Sequence, residues 1–209
     1  AMVSFQRNQV ISLNGMSTFT SEFNRGRLSD LVSRLSGRNF ETKTFEEPIA
    51  EASFNTLKKG VMNFMNETNF KRFLMIIKSA GFVSPDLIRS QNALNFAYIV
   101  YLKLRGKEIH AEEIAQNVRK WYVYSVLTQR YSGSPESFFD FDVKQIETKS
   151  FTEYMKEKEN GELSDAFWNA ALVQQLDTSV TSSPYFNVFM AAQVKAGDKG
   201  FLSKAVTIS

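Results

Sequence analysis

Apolar residues recur at three- and four-residue steps along most of the chain, the spacing that lines one face of an α-helix. Ser29 predicts a cap for a short helix, Asp30 to Leu35, with Leu31, Val32 and Leu35 as its stripe and Gly37 as its stop. Phe45 to Phe64 reads as a longer helix with Pro48 in its first turn and a stripe of Ile49, Ala52, Phe54, Leu57, Val61 and Phe64. A third helix runs from Phe70 to Ala80, ahead of Gly81. Ser84-Pro85-Asp86 has the form of a helix start: cap, first-turn proline, and an acid near the positive end of the dipole. Asn92 to Leu104 is apolar on most sides, which predicts a central helix.

Ala111 to about Tyr131 forms the next predicted helix, with Glu112 and Glu113 at its start and Arg119, Lys120 and Arg130 towards its end. Ser134-Pro135-Glu136 opens another, to about Ile146, and a charged helix from Phe151 to Lys158 closes at Asn160-Gly161. Ser164 caps Asp165 to Leu176, and Ser183-Pro184 opens Tyr185 to Lys195. Val206 and Ile208 alternate in a strand-like way. The expected fold is all-α: an irregular bundle of about eight or nine helices, with a short extended segment near a terminus. The predicted division is an arm or the tail of a preceding domain over 1–28, a helical domain over 29–196, and a linker over 197–209. Ala1-Met2 reads as a cloning remnant ahead of a native start, the mark of an expressed fragment.

Composition narrows the chemistry. The chain has 209 residues, 43% apolar and 22% charged, with only 10 Gly and 4 Pro, which fits a packed domain and excludes a low-complexity chain. Without cysteine there is no disulfide framework, thiolate metal site or cysteine nucleophile. His110 is the one histidine, too few for a histidine-rich zinc site, and a Ser-His-Asp triad would need a base with recognisable partners. No apolar run approaches the roughly 18 residues of a membrane span, and no signal peptide opens the chain, so a cytoplasmic location without membrane contact is expected. Phenylalanine is over-used, at 19 residues, which predicts an aromatic-rich core rather than a base-stacking platform. Residues 1–135 hold 18 basic and 11 acidic side chains, a balance of +7, whereas 136–209 hold 7 and 11, a balance of −4. The basic bias permits a polyanionic partner.

Four places carry candidate chemistry. Glu136 and Asp140 share a helix face, but Asp142 lies about 140° around from Asp140 at roughly 100° per residue, so the acids read as a solvated face or an ion pair and not as a two-metal site. His110 reads as a surface or capping residue. Trp121 to Glu136 is the densest patch: Arg130 suits a phosphate or a carboxylate, or else neutralises carbonyl ends or an acid in a buried helix–turn–helix corner. Trp121, Tyr131, Ser132 and Pro135 within it, and Trp168 further along the chain, are the expected structural-motif residues. Arg25, Arg27, Arg34 and Arg38 form a sparse basic cluster, with Arg34 and Arg38 on one helix face. Together with Arg130 they are the candidate contacts to a nucleic-acid backbone.

Several separated runs resemble the GmrSD-type family of modification-dependent restriction endonucleases. They are Ser90-Gln91-Asn92-Ala93-Leu94-Asn95-Phe96-Ala97-Tyr98, Lys120-Trp121-Tyr122, Leu127 to Glu136, Leu163 to Trp168, Ser182 to Phe186, Ala191 to Lys195, and Asp198 to Ser203. The resemblance covers roughly residues 20–205. It implies a three-part parent: a ParB-like N-terminal domain with an Asp-Gly-Gln-Gln-Arg motif tied to nucleotide use, a helical middle region, and a C-terminal HNH-type segment with paired histidines. This chain has neither motif, so the resemblance places it in the helical middle region and transfers no catalytic residue and no cofactor. The resulting expectation is a helical scaffold of a bacterial DNA-targeting defence nuclease, not catalytic by itself, within a nucleotide-dependent parent. Its expected partners are DNA, the flanking domains and a second copy. The rival expectation is a protein-interaction or homodimerisation module that binds no nucleic acid.

Overall fold

A computed structural model describes residues 19–177, 180 and 182–197. Among these the fold is all-α: nine α-helices and no strand, with one isolated antiparallel bridge between Arg38 and Phe45. The helices are α1 (Leu28–Leu35), α2 (Glu47–Phe64), α3 (Glu67–Ser79), α4 (Gln91–Arg105), α5 (Ala111–Leu127), α6 (Pro135–Thr148), α7 (Phe151–Glu162), α8 (Leu172–Leu176) and α9 (Pro184–Ala196). The expected extended segment near the C-terminus, and most of the expected N-terminal arm, lie outside the described residues.

The centre is α4, as its all-round apolar sequence predicts. Ten of its residues are buried, from Ala93 through Tyr101 and then Leu104, and Ser90 caps it by accepting from the Ala93 N–H at 3.3 Å. It lies along α5, which buries Ile114, Val118, Trp121, Tyr122 and Tyr124. Helices α3, α7 and α9 pack on α5 as well. Aromatic rings fill the space between them. Phe96 stands 5.9 Å from Trp121 and 5.0 Å from both Tyr131 and Phe139, and Trp121 stands 5.2–5.5 Å from Tyr124, Phe151 and Tyr154.

Several boundaries move for identifiable reasons. Helix α1 begins at Leu28, so Arg27 and not Ser29 holds the cap position, and no side chain caps it. Helix α3 begins earlier than the apolar stripe suggests because Asn66 accepts from the Asn69 N–H at 3.0 Å. Ser84-Pro85-Asp86 opens only a 3-10 turn, Pro85–Leu87. Helix α7 runs past Asn160-Gly161 to Glu162. Helix α2 buries Ser53, Gly60 and Phe64, while Phe54, expected in its stripe, is exposed. The small residues Ser53 and Gly60 turn that face inward because they admit close neighbours, and the side chain of Glu22 lies against Gly60. Phe19 joins the same side, 5.4 Å from Phe64, so residues 19–23 rest on α2.

Gly37 ends α1 at φ +80°, where a Cβ would meet the Glu46 carbonyl oxygen at 2.5 Å. Only glycine fits that turn. It folds residues 38–46 back so that Glu46 N–H bonds the Gly37 carbonyl at 2.9 Å, and α2 returns along α1.

Candidate functional site

The turn after α5 organises the densest polar chemistry. Helix α5 stops at Leu127, not near Tyr131, because Gln129 takes a left-handed conformation at φ +49°. The Arg130 N–H then bonds the Ser125 carbonyl at 3.1 Å and the Gln129 N–H bonds the Val126 carbonyl at 3.2 Å. These two bonds make a Schellman ending, here with glutamine in the place usually taken by glycine. Pro135 starts α6 in its first turn, and the reversal aims the Arg130 and Tyr131 side chains at the inner face of α6.

Asp142 on that face is wholly buried. Its Oδ2 accepts from Arg130 Nε at 2.8 Å and from the Tyr131 hydroxyl at 2.7 Å. Its Oδ1 accepts from Arg130 Nη2 and from the Tyr154 hydroxyl, both at 2.6 Å. Four donors on two oxygens occupy the lone-pair sites of the carboxylate. Tyr131 also accepts from Trp121 Nε1 at 3.2 Å. Arg130 Nη1 reaches the Tyr124 hydroxyl at 3.1 Å and Glu162 at 3.4 Å, and Tyr124 donates to Glu162 at 2.5 Å. The guanidinium carbon sits 5.8 Å from the Trp121 and Tyr124 ring centres and 5.1 Å from that of Phe138, distances at which a cation is attracted to a ring face.

Electrostatics follow from this enclosure. Burial first, then the Glu162 hydrogen bond for Tyr124 and the Asp142 charge for Tyr131 and Tyr154, push these three phenols well above the ordinary value of 10.0. Burial works against the Arg130 cation, but Asp142 outweighs it and raises the guanidinium further. Arg130 is therefore an internal cation committed to an acid. As the candidate backbone contact that its position near a helix end suggested, it is turned inward, with its side chain 5% exposed.

The other acids of α6 separate as the helical angle predicts. Asp140 accepts from the Gly26 N–H at 3.1 Å and pairs with Lys144 at 2.5 Å. Burial alone would raise its pKa, but the Lys144 and Gly26 hydrogen bonds and the Lys144 and Arg27 charges hold it below 3.8. Glu136 is exposed. His110 takes the cap position of α5 without a side-chain capping bond and is exposed. Among the described residues no group of three or more histidines or acids is placed to hold a metal ion. Trp121 is wholly buried, whereas Trp168 is 44% exposed. Ser132 donates to the Gln129 carbonyl at 2.7 Å and so closes the turn.

The basic cluster divides in two. Arg25 and Arg27 flank Gly26, which lies against the Phe139–Asp140 backbone of α6. Arg34 and Arg38 do not share a helix face, since α1 stops at Leu35 and Gly37 reverses the chain. They are nevertheless brought together, because both line a groove of about 640 Å³ beside Phe23, Asn39, Phe40 and α2 residues Ile49, Ala52 and Ser53. The Arg34 guanidinium lies 5.0 Å above the ring of Phe40, which is 45% exposed. Asn39 is spent on the turn: its Oδ1 accepts from the Glu41 and Thr42 N–H groups and its Nδ2 donates to Glu46. Sequence spacing alone did not mark Phe40 as a member of this groove; an aromatic two residues after an arginine carries no periodic signal.

Comparison with family models, curated proteins and solved structures finds no match to this chain.

Proposed function

We propose that the chain is a helical scaffold module of a bacterial DNA-targeting defence nuclease and that it grips the nucleic-acid backbone at the α1–α2 corner. The observation that carries this reading is the convergence of Arg34 and Arg38 on one groove with an exposed ring, Phe40. Phosphate contact needs cationic charge and reach, which two guanidinium groups at a surface groove supply, and a ring beside them offers a stacking face for an unpaired base. The +7 balance of residues 1–135 adds a long-range attraction of the same sign. The Arg130 corner serves as the rigid joint: a saturated internal ion pair holds α5, α6 and α7 in fixed relation. In this reading the parent protein acts in the cytoplasm and its flanking domains carry the chemistry.

The test is a salt titration of duplex and single-stranded DNA binding by the full chain and by an Arg34→Ala/Arg38→Ala variant. Each phosphate neutralised contributes about 0.9 to the slope of log affinity against log salt, so losing two lowers the slope by about 1.8. An unchanged slope and affinity in the variant refutes the groove as a backbone contact.

One observation favours the rival reading. Val32 on α1, Phe45 in the segment that joins α1 to α2, and Phe54 on α2 are 61%, 69% and 60% exposed. An apolar surface of this kind suits a second copy of the chain. Light scattering that shows a dimer, lost in Phe54→Gln, together with no DNA binding at low salt, favours that module over the first.

A further inference from the structure

A second groove, of about 570 Å³, runs along α5. Helices α5, α7 and α9, the α3 end and the turn before α8 enclose it. Its walls are chiefly apolar: Ala80, Phe82, Val123, Leu127, Leu163, Trp168, Val188 and Ala192 line it. This volume falls in the range of small-molecule sites, which are mostly apolar with a few polar groups that fix orientation.

The charges at its rim are unequal. Arg119 is held by Glu112 at 2.9 Å and by the Ser79 hydroxyl at 3.2 Å, and Lys120 by Glu159 at 3.4 Å. Lys195, the third cation, is exposed and has no ion-pair or hydrogen-bond partner among the described residues. Among the described residues the groove thus presents an apolar body and one uncompensated positive charge.

One wall is built to yield. The ladder of α-helical hydrogen bonds is interrupted at Phe167–Ala171, which forms a π-turn, and α8 follows it directly. Neither segment has a buried residue. Few buried apolar contacts make local opening cheap, and π-turns inside helices occur frequently at functional sites. Trp168 stands on this wall, with its ring 5.3 Å from that of Phe167.

We propose that this groove binds an amphipathic organic monoanion of the fatty-acid or aryl-carboxylate class, with its apolar body against Val123, Leu163 and Trp168 and its anionic head at Lys195. One uncompensated lysine matches one negative charge, and the apolar lining rewards a chain or ring over a hydrated anion such as phosphate. The proposal is independent of DNA contact at the α1–α2 corner.

Dodecanoate, kept below its micelle concentration, tests this in a titration read by tryptophan emission, since Trp168 is the exposed tryptophan and Trp121 is buried. Saturable binding with a blue shift is expected, together with loss of the shift in Trp168→Phe. Lys195→Gln should weaken binding at least about fivefold and Lys195→Arg should restore it, with both variants retaining native circular dichroism because the side chain is exposed. Equal affinity in Lys195→Gln, equal binding of dodecyltrimethylammonium, or a blue shift that persists in Trp168→Phe overturns the proposal. An amphipathic helical peptide that produces the shift where dodecanoate does not overturns it in favour of a protein partner.

Discussion

Replacing Asp142 by asparagine tests the account of the Arg130 corner most directly. The substitution keeps size and shape but removes the charge and converts one of two acceptor oxygens into an N–H donor. Each oxygen now accepts one bond from Arg130 and one from a tyrosine. Whichever oxygen is replaced, a tyrosine hydroxyl can rotate to accept from the new amide, but an arginine N–H cannot. One charged hydrogen bond is therefore lost outright and the guanidinium, 5% exposed, keeps no full counter-charge in the interior. Glu162, at 3.4 Å and 35% exposed, compensates weakly. Breaking one partner of a buried pair costs about 3–5 kcal/mol. With a urea slope of about 2 kcal/mol per molar, the unfolding midpoint falls by about 1.5–2.5 M, read by emission of the buried Trp121. The double variant Arg130→Met/Asp142→Asn leaves no buried charge while the amide still bonds the Tyr131 and Tyr154 hydroxyls, and should recover most of that loss, because removing both charges of a buried pair is often neutral or stabilising. A midpoint shift under about 0.5 M for Asp142→Asn, or a double variant less stable than the single, refutes this reasoning.

Two further outcomes follow from burial and charge. Trp121→Ala removes a wholly buried indole that touches four rings and donates to Tyr131, and should cost about 3–5 kcal/mol, whereas Trp168→Ala at an exposed wall should cost less than about 1 kcal/mol; paired denaturation curves decide this, and equal losses would contradict the placement of the two rings. At alkaline pH, Tyr98, Tyr122, Tyr124, Tyr131 and Tyr154 keep their protons above 10.0 in the folded chain chiefly through burial, while the unfolded chain releases them. Their contribution to stability is thus complete below pH 10 and declines as pH rises above it, so phenolate absorbance from these five of seven tyrosines should grow only as helical circular dichroism is lost. Ionisation of all five with helix content intact would count against the enclosure.

Much of the architecture was legible because local and tertiary signals agree. The all-round apolar run after Ser90 could be satisfied only in the middle of the bundle, and the caps and first-turn prolines marked helix starts that hold to within a few residues. Failures occurred where two faces of one helix were both plausible, or where a reversal had no glycine to announce it. In α2, Phe54 fits a helical stripe as well as any residue, but packing is decided by the small side chains Ser53 and Gly60, whose absence of bulk gives no periodic signal. After α5 the left-handed residue is Gln129, a conformation that costs a side chain about 1–2 kcal/mol and is not read from composition. The inward bonds of Arg130 and Tyr131 to Asp142 offset that cost. Pairing of Arg130 with an acid was one of several outcomes its chemistry allowed, yet which acid depended on this reversal.

The same contrast argues where function belongs on the molecule. Inside the bundle the strong polar groups of the Arg130 corner are spent on one another: the Asp142 oxygens are filled, and the phenols stay protonated through the physiological range. A saturated network can fix geometry but has nothing left to offer a ligand. Uncommitted capacity lies instead on thinly packed elements. Helix α2 buries three residues in its eighteen and borders the Arg34–Arg38 groove; the π-turn and α8 bury none and border the apolar groove beside Lys195. Elements held by few buried contacts can shift at little cost to the whole, which is the property a binding wall requires and a core helix such as α4 cannot provide.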